Sequence, residues 1–323
     1  MLFRSRDWPE AARYAWIALD YNRLNLTAWE SLAIAERKAG QEGLAAAALR
    51  EIEALDPLSH VVRAERYLGL PGPSSAKLRE GLRSEFPDES AMELAAGYVR
   101  RGQPRDAADV LGAAASSGNP IAFAWRAALT GDTRPFLQGT VAFAFPYRAE
   151  TLPVLRQAVA TWPRDDRWTY LLALNLWAFD RIDEAMTVAA GIGTDTHDPV
   201  IRAGRAALRL KVDPADRSRG AEADLKDAVA HGGTLRPLHV QLVQYYQSMD
   251  RWFESLTAAT TALAVFSGDF NLQIMQARAL VKLHRATEAL TVLDTARVLP
   301  SEGARESHQL YVQAHVKIGR AHV

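Results

Sequence analysis

The residues from Ala45 to Pro57 set the tightest limit on the fold. Ala45, Leu49, Ile52 and Pro57 stand at offsets of 0, 4, 7 and 12. Upstream, Trp29, Leu32, Ala33 and Gly40 sit at fixed distances from the same alanine. Apolar residues spaced three and four apart line one face of a helix. Gly40 marks a tight turn, and Ala54-Leu55-Asp56-Pro57 closes a second helix. The stretch therefore reads helix, turn, helix. One such pair cannot bury its apolar face alone, so the pattern predicts stacking on neighbours of the same kind.

The frame carries through the chain. Asp7 to Tyr21 reads as the second helix of a pair, with Ala11, Ala15 and Ala18 as its small positions. His60 to Leu70 and Ser75 to Glu85 follow, separated by Pro71-Gly72-Pro73. Leu94, Ala95, Tyr98, Gly102, Ala107, Leu111 and Ala114 repeat the pattern, and Ile121 to Leu129 adds a helix. It returns at Leu155 to Ala189, becomes degenerate over Val200 to Ala230, and is regular again over Leu242 to Ala262 and Ala277 to Ala296. This is the tetratricopeptide pattern. It implies an all-α, right-handed α-α superhelix of about seven to eight helix pairs. We expect repeats over 1–130, an irregular proline- and aromatic-rich segment over 131–147, and repeat-like pairs over 148–323, all in one continuous solenoid.

A chain of 323 residues exceeds the usual size of one compact core. A solenoid escapes that limit because each repeat touches only its neighbours. Lys plus Arg equals Asp plus Glu at 38 each, which gives no bulk attraction to nucleic acid or to an anionic membrane. There is no cysteine, so disulfides and thiolate metal sites are excluded. That composition suits a cytoplasmic protein. The tail Ile318-Gly319-Arg320-Ala321-His322-Val323 is similar to a translated sequencing adapter and is expected to be non-native, although Gly319 also fits a repeat turn.

No residue set points to catalysis, to a metal or to a cofactor. Gly191-Ile192-Gly193 lacks the third glycine of a phosphate loop. His308 and His315 share a helix face but read as packed or solvated residues. Asp165-Asp166 and Asp183-Glu184 stand where helix starts favour acids. The expected partner is a protein or a further domain.

Aromatic residues concentrate between Phe143 and Phe179, with Tyr147, Trp162, Trp168, Tyr170 and Trp177 between them. They are either core filling beside the irregular segment or a docking surface. Counting from the tryptophan slot of each repeat places Glu30, Ile34, Arg37, Tyr170, Leu174, Trp177, Val240, Gln244 and Gln247 on the concave face, extended by Arg278 and Lys282. Arg37, Tyr147, Tyr170, Trp177, Gln244, Gln247 and Arg278 are the candidate interaction surface. The conclusion at this level is a non-catalytic scaffold for protein or interdomain contacts.

Longer strings carry a narrower resemblance. Ala18-Leu19-Asp20-Tyr21-Asn22-Arg23, Glu65-Arg66-Tyr67-Leu68, Phe145-Pro146-Tyr147-Arg148 and Trp168-Thr169-Tyr170-Leu171-Leu172 are examples. They resemble the repeat region of large bacterial proteins with an amino-terminal β-sandwich domain of unknown function, related to mutarotase-like folds. The resemblance covers roughly residues 11 to 190. It implies a second reading, in which the chain supports the catalytic or sugar-binding domain of a carbohydrate-active enzyme. No sugar-site residue is carried over.

Overall fold

A computed structural model describes residues 7–69, 75–82, 87–115, 119–134, 140–142, 144, 146–193, 195–216, 219–296 and 304–321. Among the described residues there are only helices and loops, with no strand. The fold class is all-α, built of the helix-turn-helix pairs that the spacing predicts. The chain forms two compact units, Met1–Phe179 and Asp180–Val323.

The first unit holds α1 (Trp8–Tyr21), α2 (Leu26–Lys38), α3 (Glu42–Leu55), α4 (His60–Leu68), α5 (Ser75–Gly81), α6 (Pro87–Arg100), α7 (Pro104–Ala114), α8 (Pro120–Thr130), α9 (Thr151–Thr161) and α10 (Asp166–Ala178). Helix α2 begins because Asn25 caps it, its Oδ1 accepting the Ala28 N–H at 3.2 Å. The Trp29 indole donates back to the Arg23 carbonyl at 2.8 Å and fixes the incoming turn. The helix stops at Gly40, whose φ of 74° suits a residue without Cβ. The Gln41 N–H then reaches the Glu36 carbonyl at 2.8 Å, which aims the chain into α3. Helix α3 buries Ala45, Ala48, Leu49 and Ile52 against Trp29 and Leu32. Burying each of the larger residues contributes about 1.5–3 kcal/mol before entropy is counted.

The same turn recurs. Gly102, Asp180, Asp250 and His284 also carry positive φ, at 68°, 56°, 54° and 61°. The connection to the next pair recurs too. The N–H groups of Asn25, Ser59 and Asp165 each reach the carbonyl three residues back, at Asn22, Asp56 and Trp162.

Between 131 and 147, several described residues pack into the first unit. Val141, Ala144 and Pro146 are buried. Asn175 of α10 donates to the Pro146 and Arg148 carbonyls at 2.5 and 3.0 Å. On its other side, the Trp125 indole of α8 donates to the Thr151 hydroxyl at 3.0 Å, and both residues are fully buried. Phe143 and Phe145 lie outside the described residues.

The second unit holds α11 (Ile182–Ala189), α12 (Pro199–Val212), α13 (Gly220–His231), α14 (Arg236–Ser248), α15 (Trp252–Val265), α16 (Phe270–Lys282), α17 (Ala286–Thr295) and α18 (Ala304–Ala321). The degenerate pair α12–α13 is joined by charge. Arg205 forms a bidentate pair with Asp224 at 2.9 and 2.7 Å, and both residues are buried. Arg205 also donates to the Gly193 carbonyl at 2.9 Å, which satisfies more of its donors.

Candidate functional site

The first helices of successive pairs, α2, α4 and α6, pack on one another in the first unit. Their exposed sides leave a cavity of about 840 Å³. Ile34, Val61, Leu94 and Tyr98 give it an apolar floor. Glu30, Ser31, Asp56, His60, Glu93, Arg100 and Arg101 give it polar walls. Arg101 pairs with Glu30 at 2.6 Å, and Arg100 pairs with Glu150 at 2.8 Å. Burial and the nearby Arg63 guanidinium lower the pKa of His60, which favours the neutral ring.

Residues 2–60, which include α1, α2 and α3, match the family model described as tetratricopeptide repeat. No curated protein matches the chain. Among solved structures, the chain is similar to a thermophilic tetratricopeptide protein of Thermus thermophilus, at 21% identity over 60% of this chain and 99% of that one, with a TM-score of 0.38. PilF of Pseudomonas aeruginosa matches at 13% identity over 70% and 97%, with a TM-score of 0.43. Yeast Tom70 matches at 15% identity over 98% and 60%, with a TM-score of 0.44.

Beneath the groove lies a charged network. Arg37 Nε donates to Glu65 Oε2 at 2.6 Å, and its Nη2 donates to Asp106 Oδ2 at 2.7 Å. Lys38 reaches the other Asp106 oxygen at 2.6 Å. The Tyr98 hydroxyl donates to Glu65 Oε1 at 2.6 Å. Burial and then the Glu65 carboxylate push the Tyr98 pKa well above its ordinary range, so the hydroxyl remains a donor. For Arg37, burial opposes the charge, but Glu65 and Asp106 outweigh it and raise the pKa. The network joins α2, α4, α6 and α7.

The candidate surface residues separate into three groups. Arg37 is committed inside this network, with only 15% of its side chain exposed, so it is not a free contact. Tyr170 is buried as well, which removes it as an exposed anchor, and Ile34 and Leu174 are buried with it. The cause for α10 is visible in its burial, because every residue from Trp168 to Leu176 is buried. A helix enclosed on all sides has no free face. Trp168 is fully buried and stacks on Trp162 at 5.3 Å, so part of the aromatic concentration is core. Trp177 is half-buried.

Tyr147 is the exposed member, at 52%, and its hydroxyl donates to Glu89. In the second unit, Gln244 is exposed and Gln247 is half-buried. Gln247 donates to the Ser255 hydroxyl and the Met275 carbonyl at 3.1 and 2.9 Å. Arg278 donates to Gln247 at 2.5 Å and pairs with Glu306 of α18. The structure therefore joins Gln247 to Arg278 and ties both into the unit.

Sequence reasoning put Glu30 and Ile34 on this face but missed Asp56, His60, Glu93 and Arg101. Asp56 and His60 flank the turn into α4, and Glu93 and Arg101 lie on α6 and just after it, off the counted positions. It also passed over α1, where Tyr14, Ile17 and Tyr21 form an exposed row at helical spacing, with Tyr21 90% exposed, followed by exposed Leu24 in the next turn. Among the described residues, no helix is long and apolar enough to cross a membrane.

Proposed function

We propose that this chain is a non-catalytic scaffold that holds an extended segment of a partner protein in the groove of its first unit. One observation carries the reading: the groove built by α2, α4 and α6. It is about 840 Å³ in volume and combines an apolar floor with polar walls. Pockets of this size and character suit side chains presented by a peptide. The supporting helices are braced by the Arg37–Glu65–Asp106 network, so the groove is largely formed before binding.

The test is a random-peptide phage selection on the immobilised full chain, run beside the Ser31→Trp variant. Ser31 lines the groove on α2, and its hydroxyl donates to the Thr27 carbonyl in its own helix. A tryptophan there fills the groove while far-ultraviolet circular dichroism reports intact helices. Peptides that bind the natural chain and lose binding to Ser31→Trp support the reading. No selected peptide, or equal binding to both proteins, overturns it.

A further inference from the structure

We propose that the segment taken by this groove is cationic, presenting a lysine or arginine to Glu93 and Asp56. The proposal rests on the groove being the binding site and adds the chemistry of its occupant.

The argument is an inventory of charge. The two cations in the groove wall are already committed, Arg101 to Glu30 at 2.6 Å and Arg100 to Glu150 at 2.8 Å. The cations beneath the floor, Arg37 and Lys38, are held by Glu65 and Asp106. Arg63, in the first turn of α4, donates to the Leu58 carbonyl at 2.8 Å, and Arg148, whose charge also acts on Glu93, is paired with Glu89 at 3.1 Å. The acids differ. Glu93 is exposed on the groove side of α6, and among the described residues it has no salt-bridge partner. Asp56 likewise has no cation within salt-bridge distance. Its Oδ1 accepts the Leu58 N–H at 3.1 Å, which leaves its other oxygen available.

His60 lines the same groove, and both carboxylates act on its ring. Burial and Arg63 disfavour its charged form, so it does not neutralise them. The groove thus offers unpaired negative charge above an apolar floor of Ile34, Val61 and Leu94. A lysine or arginine side chain matches both parts, its methylenes on the floor and its head at the carboxylates. An acidic segment would meet the same carboxylates, while the groove-wall cations Arg100 and Arg101 are already paired with acids. Such complementarity selects partners more than it adds affinity.

The experiment sequences the peptides whose binding depends on the groove, meaning those lost with Ser31→Trp. It then measures labelled copies by fluorescence polarisation against the full chain and against the double variant Asp56→Asn/Glu93→Gln. Asparagine keeps the oxygen that accepts the Leu58 N–H, and Glu93 is exposed, so the double variant should retain its helices. The expected result is a pool enriched in Lys and Arg. Its binding should weaken about threefold to tenfold in the double variant and also with added salt, the range set by exposed ion pairs. A groove-dependent pool without basic enrichment, or one whose affinity is unchanged in the double variant, overturns the cationic assignment and leaves the groove reading standing. Failure to obtain any groove-dependent peptide overturns both.

Discussion

Arg101 reaches across the groove to Glu30 by lying over Gly97. Its Nη2 is 2.6 Å from Glu30 Oε2, while its Nη1 donates to the Gly97 carbonyl at 3.3 Å. A Cβ built on Gly97 would stand 3.2 Å from that Nη1. The neighbour is the tip of a flexible side chain, so it can move. Gly97→Ala removes a helix-interior glycine and should stabilise the protein by about 0.5–1 kcal/mol, with Arg101 displaced by a few tenths of an ångström. Urea denaturation checks this. A loss of stability would show that the path of Arg101 is fixed and that the ion pair outweighs helix propensity.

Leu49 is 7% exposed and packs with Trp29, Leu32 and Ile52. Leu49→Ala should cost about 2–5 kcal/mol of local folding free energy, since the removed atoms leave a cavity. An unchanged denaturation midpoint in the first unit would refute the assigned packing.

Glu65 accepts from Arg37 and Tyr98 at once and is 2% exposed. Glu65→Ala leaves a buried guanidinium with Asp106 alone and a phenol without its acceptor. The expected cost is about 3 kcal/mol. Arg37→Met/Glu65→Leu removes both charges together and should cost clearly less than the two single changes summed. Additive costs in that cycle would rule out the coupling described here.

Acid should weaken the second unit through Glu222. The Arg251 guanidinium, with Lys226 behind it, lowers the Glu222 pKa to about 2 against the pull of burial, below an ordinary value of 4.5. The unfolded chain therefore binds this proton more readily than the folded one. The stabilisation is complete above about pH 4.5 and disappears as pH falls toward 2. Glu222→Gln should flatten the decline of the denaturation midpoint across that window. An identical decline in the variant would assign the acid sensitivity elsewhere.

The repeat frame was legible in the sequence because it rests on packing. Ala45, Leu49 and Ile52 are buried as their spacing requires, and Asp165 caps α10 through the Arg167 N–H at 3.1 Å. Less legible was which polar residues are interior. Arg37 was placed on the concave face, and nothing in the sequence marks Glu65, Arg205 and Asp224 as interior, because charged residues are usually solvated. Their partners lie 28 and 19 positions away, beyond the reach of helical periodicity. Tyr170 was placed by counting positions, which locates a face but not what covers it. The run Trp168-Thr169-Tyr170-Leu171-Leu172-Ala173-Leu174 has no polar stripe, and that was the available sign of an enclosed helix. The αL turns at Asp250 and His284 were hidden because neither is glycine, although backbone bonds from Arg251 to Tyr246 and from Arg285 to Leu280 hold both.

The bond from Arg37 to Asp106 spans 69 residues. In a solenoid held only by adjacent contacts, an end can fray one repeat at a time. Here α2 cannot peel away without breaking a charge pair that reaches α7, two pairs further on. Opening at this end should therefore proceed as a block, and amide hydrogen exchange should assign α2, α4, α6 and α7 one common opening free energy rather than a gradient. The same brace keeps the three helices of the groove in register through thermal fluctuation, so a ligand would meet a rigid receptor and not a hinge.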